Sequence, residues 1–261
     1  MRAVLITGAS SGIGKEFARQ FAFRGYNLFL VARREEELKA IKEDFEEEYK
    51  VKVEYFPCDL AKDPKAVYDY AQANDIEVSV LINNAGFGDY KTFANADLDK
   101  LMNMIDLNDK ALVALSHYFI KDMKQMGYGH IINLGSVASF MPGPYMAVYY
   151  ASKAFVMSFS LALREELKND NIKVSVLCPG PVASDFWKRA EGDKSLVGSS
   201  LFTRTSTQAA VSGYSLFETG KAYKIDGAFN NLMIRAVRFM PLELAARAVG
   251  LVQKKVKGKA D

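Results

Sequence analysis

The sequence is poor in the residues that carry most metal, disulfide and triad chemistry: 261 residues include two cysteines, two histidines and one tryptophan. Cys58 and Cys178 stand far apart, so there is no disulfide framework and no C-x-x-C pair. No metal site is expected, and the compartment is expected to be reducing. No apolar stretch approaches the roughly 18 residues of a membrane span. The run in MRAVLITG breaks at Gly8, too short for the apolar segment of a secretory signal. A cytoplasmic location is the expectation. An excess of one charge is also lacking. Lysine and arginine total 34 against 31 acids, a formal +3, and the charges mostly interleave. With no basic stripe laced with aromatics, nucleic acid is excluded as a partner. The tail QKKVKGKAD is basic and could touch an anionic membrane surface; a frayed, solvated end is expected.

What the chain does have is rhythm. Short, nearly continuous apolar runs lie at Ala3–Ile6, Leu28–Ala32, Val51–Phe56, Val78–Ile82, His130–Leu134, Lys173–Leu177 and, more weakly, Ala222–Ile225. Continuous rather than alternating runs mark strands covered on both faces, as in a parallel sheet. Helix-period segments separate them at Lys15–Arg24, Glu35–Tyr49, Lys65–Ala73, Leu98–Lys124, Val148–Leu167 and Gln208–Glu218. The alternation predicts an α/β fold: a doubly wound, mostly parallel seven-stranded sheet with helices on both faces. No linker divides residues 1–261, so one domain is expected. Residues 181–206 break the rhythm with a Gly/Ser-rich stretch that carries Phe186, Trp187, Leu196, Val197, Leu201 and Phe202. A long loop with apolar residues suggests a lid over an apolar ligand.

The first strand runs into Gly8-Ala9-Ser10-Ser11-Gly12-Ile13-Gly14. This turn fits G-x-S-x-G, which presents a hydrolase's serine, and it also fits a glycine-rich phosphate turn. A Ser10 nucleophile needs a histidine late in the chain, and the only histidines are His117 and His130. The phosphate reading needs tight backbone and a helix N-terminus aimed at the anion, and both are supplied. Its spacing, G-x-x-x-G-x-G, is not that of the common dinucleotide fingerprint. The second strand ends Ala32-Arg33-Arg34. An acid there would bind a ribose, whereas an arginine suits a 2′-phosphate. NADP(H) is therefore expected over NAD(H), although the arginines could instead pair with Glu35–Glu37.

Tyr149 and Lys153 lie four residues apart, on one helix face. A nearby ammonium favours phenolate and lowers a tyrosine's pKa, which suits proton transfer to a carbonyl oxygen. Y-x-x-x-K alone is a weak signal, but other strand ends support it. Ser136 follows the fifth strand, Asn84-Ala85-Gly86 the fourth, Asp59 and Leu60 the third, and Pro179-Gly180-Pro181-Val182 the sixth. Asp59 could accept from an adenine amine. Open α/β sheets bind ligands along this edge.

Together these residues resemble the short-chain dehydrogenase/reductase family over nearly the whole chain, from Thr7 to about Gly220. The family's T-G-x-x-x-G-I-G is Thr7–Gly14 and its N-N-A-G is Asn83–Gly86. Its serine, tyrosine and lysine correspond to Ser136, Tyr149 and Lys153, its helical asparagine to Asn108, and its P-G to Pro179-Gly180. The resemblance implies a carbonyl–alcohol oxidoreductase. Tyr149 would be the acid/base, and Lys153 would lower its pKa and hold the nicotinamide ribose. Ser136 would orient the carbonyl, and Asn108 would anchor a proton-relay water. Gly8, Ser10, Ser11, Gly12, Ile13 and Gly14 would face the cofactor phosphates. Asn84–Gly86 would contact the adenosine, Val182 the nicotinamide amide, and Ser184 would replace the family's usual threonine. Phe87, Tyr90, Phe93, Val137, Phe140, Met141, Tyr145, Phe186 and Trp187 would wall an apolar pocket for a ketone or aldehyde. Pairing through the two long helices is expected to give a dimer or tetramer. The rival reading is a cofactor-binding sensor or scaffold without turnover, which would be expected to lose Tyr149 or Lys153.

Overall fold

The computed structural model describes residues 1–183, 190 and 203–257. Strand β1 (Arg2–Thr7) leads into helix α1 (Gly12–Ala22), and β2 (Leu28–Ala32) into α2 (Glu35–Tyr49). β3 (Val53–Pro57) and α3 (Lys65–Ala73) follow, then β4 (Glu77–Asn83). A long helical arm of α4 (Leu98–Ile105) and α5 (Ala111–Met126) precedes β5 (Gly129–Leu134), α6 (Ala147–Glu166) and β6 (Ile172–Cys178). The strands form one sheet in the order β3-β2-β1-β4-β5-β6-β9, with β9 at Tyr223–Ile225. Every neighbouring pair in it is parallel. All seven apolar runs of the sequence become its strands, including the weak last one.

Side-chain alternation along each strand explains the two-sided burial. Val4 and Ile6 point to one face, where Phe17 and Phe21 of α1 and Leu38, Ile41 and Phe45 of α2 cover them. Ala3 and Leu5 point to the other, under Val67 and Ala71 of α3 and Leu115, Phe119 and Met123 of α5. Fully buried Phe and Leu side chains of this kind contribute about 1.5–3 kcal/mol each. Neither face can be left bare, so the strands carry no polar alternation.

The chain runs outward through β1, β2 and β3, then returns to place β4 on the other side of β1. The sheet therefore reverses direction between β1 and β4, where a crevice opens at the carboxyl ends of the strands. Thr7 closes the floor of that crevice. Its hydroxyl donates to the Ile82 carbonyl (3.3 Å) and accepts from the backbone N–H groups of Asn84 (2.9 Å) and Ala85 (3.0 Å). Leaving one such buried N–H unpaired costs about 1–3 kcal/mol, so a hydroxyl here fastens the two strands at their parting point.

Three segments differ from the sequence expectation. The helix expected over Leu98–Lys124 is interrupted by a π turn at Asp106–Lys110. Residues 181–206 were expected to be a loop, but it is gathered at its base, where β7 (Val182–Ala183) pairs with β8 (Arg204–Thr205) before α7 (Ser206–Thr219). Arg204 forms an ion pair with the buried Asp226 (3.2 Å), which fixes that base. The hydrophobic loop residues Phe186, Trp187, Leu196, Val197, Leu201 and Phe202 lie outside the described residues, as does Ser184. The tail, expected to fray from Gln253, is helical as far as Lys257. Helix α8 (Ala228–Val237) is followed by α9 (Leu242–Lys257), and Ala245 and Gln253 of α9 are buried. The Tyr90 hydroxyl donates to the Gln253 carbonyl (2.6 Å), and the Gln253 amide donates to the Tyr150 hydroxyl (2.9 Å). The side-chain amide is thus half satisfied, its Nε2 by Tyr150, while Oε1 is buried without a hydrogen-bond partner. Among the described residues no helix is long and apolar enough to cross a membrane.

Candidate active site

A cleft of about 700 Å³ fills the β1–β4 crevice. Gly8, Ser10, Ser11, Gly12, Ile13, Arg33, Arg34, Asp59, Leu60, Asn84, Ala85 and Gly86 all line it. Twelve positions from four separate strand ends thus meet in one hollow. Its floor depends on two glycines. Gly8 has φ +65°, in the left-handed region, and turns the chain out of β1. A Cβ on Gly14 would lie 2.4 Å from the Gly8 carbonyl oxygen, so only glycine lets α1 start so close to the turn. The N-terminus of α1 opens on the cleft, with no side-chain cap hydrogen bond and no acid in its first turn. By contrast, α2 begins with Glu35, Glu36 and Glu37. The first helix therefore presents its N–H groups and positive dipole end to an anion.

Arg34 reaches back across the rim. Its guanidinium donates to the Ser10 hydroxyl (3.0 and 3.3 Å) and pairs with Glu37 (3.3 Å). The pairing with an acid of α2 that the sequence offered for these arginines is thus formed by Arg34, and Arg33 lies exposed beside it. Neither histidine serves Ser10. His117 is exposed on α5, and His130 is buried in the sheet, bonded to Ser175 (2.8 Å). The Ser175 hydroxyl spends its proton on the Lys221 carbonyl (2.7 Å), so His130 Nε2 is the donor. Burial holds the His130 pKa down to about 3.

Beside the cleft, Tyr149 sits in the first turn of α6 and Lys153 one turn on. Tyr149 is hydrogen-bonded to Ser136. Ser136 also accepts from the Ala138 N–H (3.1 Å), which fixes its rotamer at the start of a short 3₁₀ turn. Lys153 is buried, with Nζ donating to the Leu134 carbonyl at the end of β5 (2.8 Å) and lying 5.8 Å from the Tyr149 ring centre. The expectation that the ammonium lowers the phenol's pKa meets a stronger opposing effect. Burial pushes Tyr149 up to about 12, with the Ser136 hydrogen bond pulling the other way. Burial likewise pulls Lys153 down to about 8, against the opposing charge of Asp109. The site thus holds a neutral phenol and an ammonium that loses its proton unusually easily.

Asn108 lies in the π turn, and its amide is fully engaged. Oδ1 accepts from the Phe87 N–H (3.1 Å), while Nδ2 donates to the Phe87 carbonyl (3.0 Å) and the Ser152 hydroxyl (3.1 Å). The π turn swings this side chain toward the strand-end loop, a common use of such turns at functional sites. Behind it a buried polar ladder crosses the sheet. Asn83 donates to Asn133 (2.8 Å) and Ser116 (3.2 Å), and Asn133 donates to Ser160 (2.8 Å). These bonds hold β4, β5, α5 and α6 in one register beneath Ser136 and Tyr149.

Other expected residues lie further out. The Pro179 carbonyl accepts from the Val137 N–H (2.9 Å), Gly180 lies against Asn230, and Val182 is buried in β7. Phe87 lines the main cleft, while Phe93 and Tyr145 border a small hollow against Tyr149. Tyr145 takes φ +67°, a conformation that costs a bulky residue about 1–3 kcal/mol and is concentrated at ligand sites. Its carbonyl accepts from the Lys91 N–H (2.9 Å). Phe140 is spent on packing against Tyr223 and under Arg238. Two residues near the site had not been singled out. Asp109 follows Asn108, has a buried oxygen without a hydrogen-bond partner, and is pushed up to about 6 by burial. Gln253 reaches Tyr150, the neighbour of Tyr149, from 103 residues away. A carboxylate inside a mostly apolar helical stretch was the available signal for Asp109; Gln253 had none.

Residues 2–195 match the short chain dehydrogenase family. The chain belongs to that family. This short chain dehydrogenase is 36% identical to sulfoacetaldehyde reductase 2 of Chromohalobacter salexigens, over 78% of this chain and 81% of that protein. It is 34% identical to a very-long-chain 3-oxoacyl-CoA reductase of Laccaria bicolor, over 66% of this chain but 52% of that protein, so it spans about half the length of that curated relative. Among solved structures, a short-chain dehydrogenase from Sphingobium yanoikuyae in complex with NADPH superposes with a TM-score of 0.83. The two share 32% identity over 91% of this chain and 92% of that one. Family membership makes the dehydrogenase an oxidoreductase.

Proposed function

We propose that the protein is an NADP(H)-dependent reductase that converts a moderately apolar ketone or aldehyde to an alcohol, reversibly. The observation that carries this reading is the Ser136–Tyr149–Lys153 cluster, joined to the cleft by the bond from Lys153 to the carbonyl of Leu134, a residue that lines it. The cleft suits a dinucleotide: glycine-floored backbone, an uncapped helix N-terminus for the pyrophosphate, and the Arg33–Arg34 pair at the rim for a 2′-phosphate. Asp59, Leu60 and Asn84–Gly86 line its adenosine end. Pro179, Gly180 and Val182 follow the sixth strand and would face the nicotinamide end. When bound, the dinucleotide supplies or accepts the hydride.

The chain's own residues handle the oxygen and its proton. Ser136 holds the carbonyl oxygen toward Tyr149. Tyr149, protonated at neutral pH, gives its proton to that oxygen and takes one back in the alcohol-oxidising direction. Lys153 places a positive charge one helical turn from the phenol and favours the phenolate left behind. Asn108, clamped on the Phe87 backbone, keeps the strand-end loop closed against α6; with its amide hydrogens spent there, a relay water at this position would be held by its backbone carbonyl. The small hollow beside Tyr149 holds about 10 Å³ and is bordered by Asp89 and Lys91 as well as Phe93, Met104, Tyr145 and Met146, so the apolar substrate flank rests on these aromatic and methionine side chains and not on a formed cavity. Exposed Leu98, Met102 and Ile105 on α4 and Phe155 and Leu161 on α6 support pairing of copies through the long helices. The names of the relatives, both reductases, favour the reducing direction.

A panel of carbonyl compounds followed by NADPH absorbance tests the reading. Apolar ketones and aldehydes should react faster than small, highly polar ones. The reverse order would overturn the substrate class, and NADPH binding with no turnover of any carbonyl would overturn the reaction.

The pH dependence follows from Lys153 and Asp109. Reduction needs the phenol protonated and the ammonium charged, and both forms are lost as pH rises. With Lys153 pulled down to about 8, kcat/KM for reduction should fall from about pH 8 upward. Asp109 is the negative neighbour that resists this pull, so Asp109→Asn should shift the alkaline limb to lower pH, with KM for NADPH nearly unchanged. An unmoved limb would show that Asp109 does not act through Lys153.

A further inference from the structure

Helix α9 has two unlike faces. The inward face is pinned to the wall of the site through Ala245, Gln253 and the approach of Gly250 to Pro144. The outward face is not polar. Leu244 is 50% exposed, Leu251 66% and Val252 62%, and Phe239 and Leu242 just before and at the start of the helix are 91% and 66% exposed. Leu244 and Leu251 are seven residues apart, so they stack on one stripe. Each is followed three residues later by an exposed cation, Arg247 and Lys254. The same apolar–basic pair therefore recurs two turns on.

The charge of the chain is concentrated there. Residues 228–257 hold six basic residues and one acid, a net +5 in a chain whose formal charge is +3, which leaves the remainder at −2. A uniformly mixed surface would not show this asymmetry.

We propose that the outward face of α9 docks on an anionic lipid bilayer, with the leucines in the acyl boundary and Arg247 and Lys254 at the headgroups. A convex helix face with an apolar stripe and cations at its edge is the arrangement of interfacial helices, in which the apolar area and the attraction to anionic lipid add. The long basic side chains keep their charge in the headgroup layer while their stems lie along the apolar surface. A second copy of the chain is a poorer occupant, because it would bring +5 against +5. The helix is already formed and packed by its inner face, so the stripe is presented without a folding cost.

Flotation of the full chain with phosphatidylcholine vesicles, with and without phosphatidylglycerol, tests this. The protein should float with the anionic vesicles at low salt and be released as salt rises. Each of Arg247→Gln and Lys254→Gln should weaken the partition roughly fivefold, and Leu251→Ser about tenfold or more. Circular dichroism melts of the three variants should match the parent. Absence of flotation, or equal flotation on neutral and anionic vesicles, would overturn the proposal. So would a parent dimer that Leu251→Ser dissociates in the absence of any vesicle binding, which would assign the face to a second copy.

Discussion

Tyr149→Phe is expected to lower kcat/KM for NADPH-linked carbonyl reduction by a factor of about 10²–10⁴, while NADPH binding changes less than about twofold. The substitution removes one oxygen. The ring keeps its packing against Tyr150, with centroids 6.1 Å apart. Burial holds the phenol up to about 12, so at neutral pH Tyr149 stands in the proton-donating form. Ser136, its hydrogen-bond partner, cannot substitute for it, because an alcohol is a far weaker acid than a phenol. Stopped-flow or steady-state NADPH oxidation beside a fluorescence binding titration separates the two effects. A loss below about fivefold would mean that the proton comes from elsewhere. Parallel loss of binding would mean that the hydroxyl is structural.

Replacing Arg33 and Arg34 together with alanine should weaken NADPH binding about a hundredfold and leave NADH binding within a few-fold. Each charge-assisted bond to a phosphate is worth about 1.5–3 kcal/mol. Both arginines are exposed, which puts the expected loss near the lower end, about tenfold apiece. Arg34 is already oriented toward the cleft by Ser10 and Glu37, so little side-chain freedom remains to be lost on binding. The ratio of the two dissociation constants is the decisive quantity. An equal decline for both cofactors, or a wild type that prefers NADH, would rule out phosphate recognition at this rim.

Much of this could be read from residues in order. Short continuous apolar runs that alternate with helix-period segments read as strands covered on both faces, and they become the seven strands of the sheet. Polar and small residues at successive strand ends converge because parallel strands all end on one edge. What was not legible depends on contacts between distant parts of the chain. The π turn leaves the apolar spacing of Leu98–Lys124 looking like ordinary helix, since Leu101, Met104, Asn108 and Leu112 are buried at normal intervals. The position of Lys153 against the Leu134 carbonyl follows from the packing of α6 on β5, not from any local pattern. The phenol's pKa direction turned on burial, which a Tyr–Lys spacing does not report. The basic composition of the last residues pointed to a solvated end, and only the glutamine's partners, Tyr90 and Tyr150, reveal that α9 is built into the wall.

The interruption at Asp106–Lys110 also changes how the long helical arm would respond to a change of length. A π turn carries one residue more than the α turn it replaces. Removing a single residue there would let the winding return to normal, with α4 and α5 still presenting the same sides to the sheet. The loss would fall on Asn108, whose amide would no longer meet Phe87. The arm behaves as an ordinary helix with one residue spliced in, and that extra residue gives the site a part that stability alone does not require.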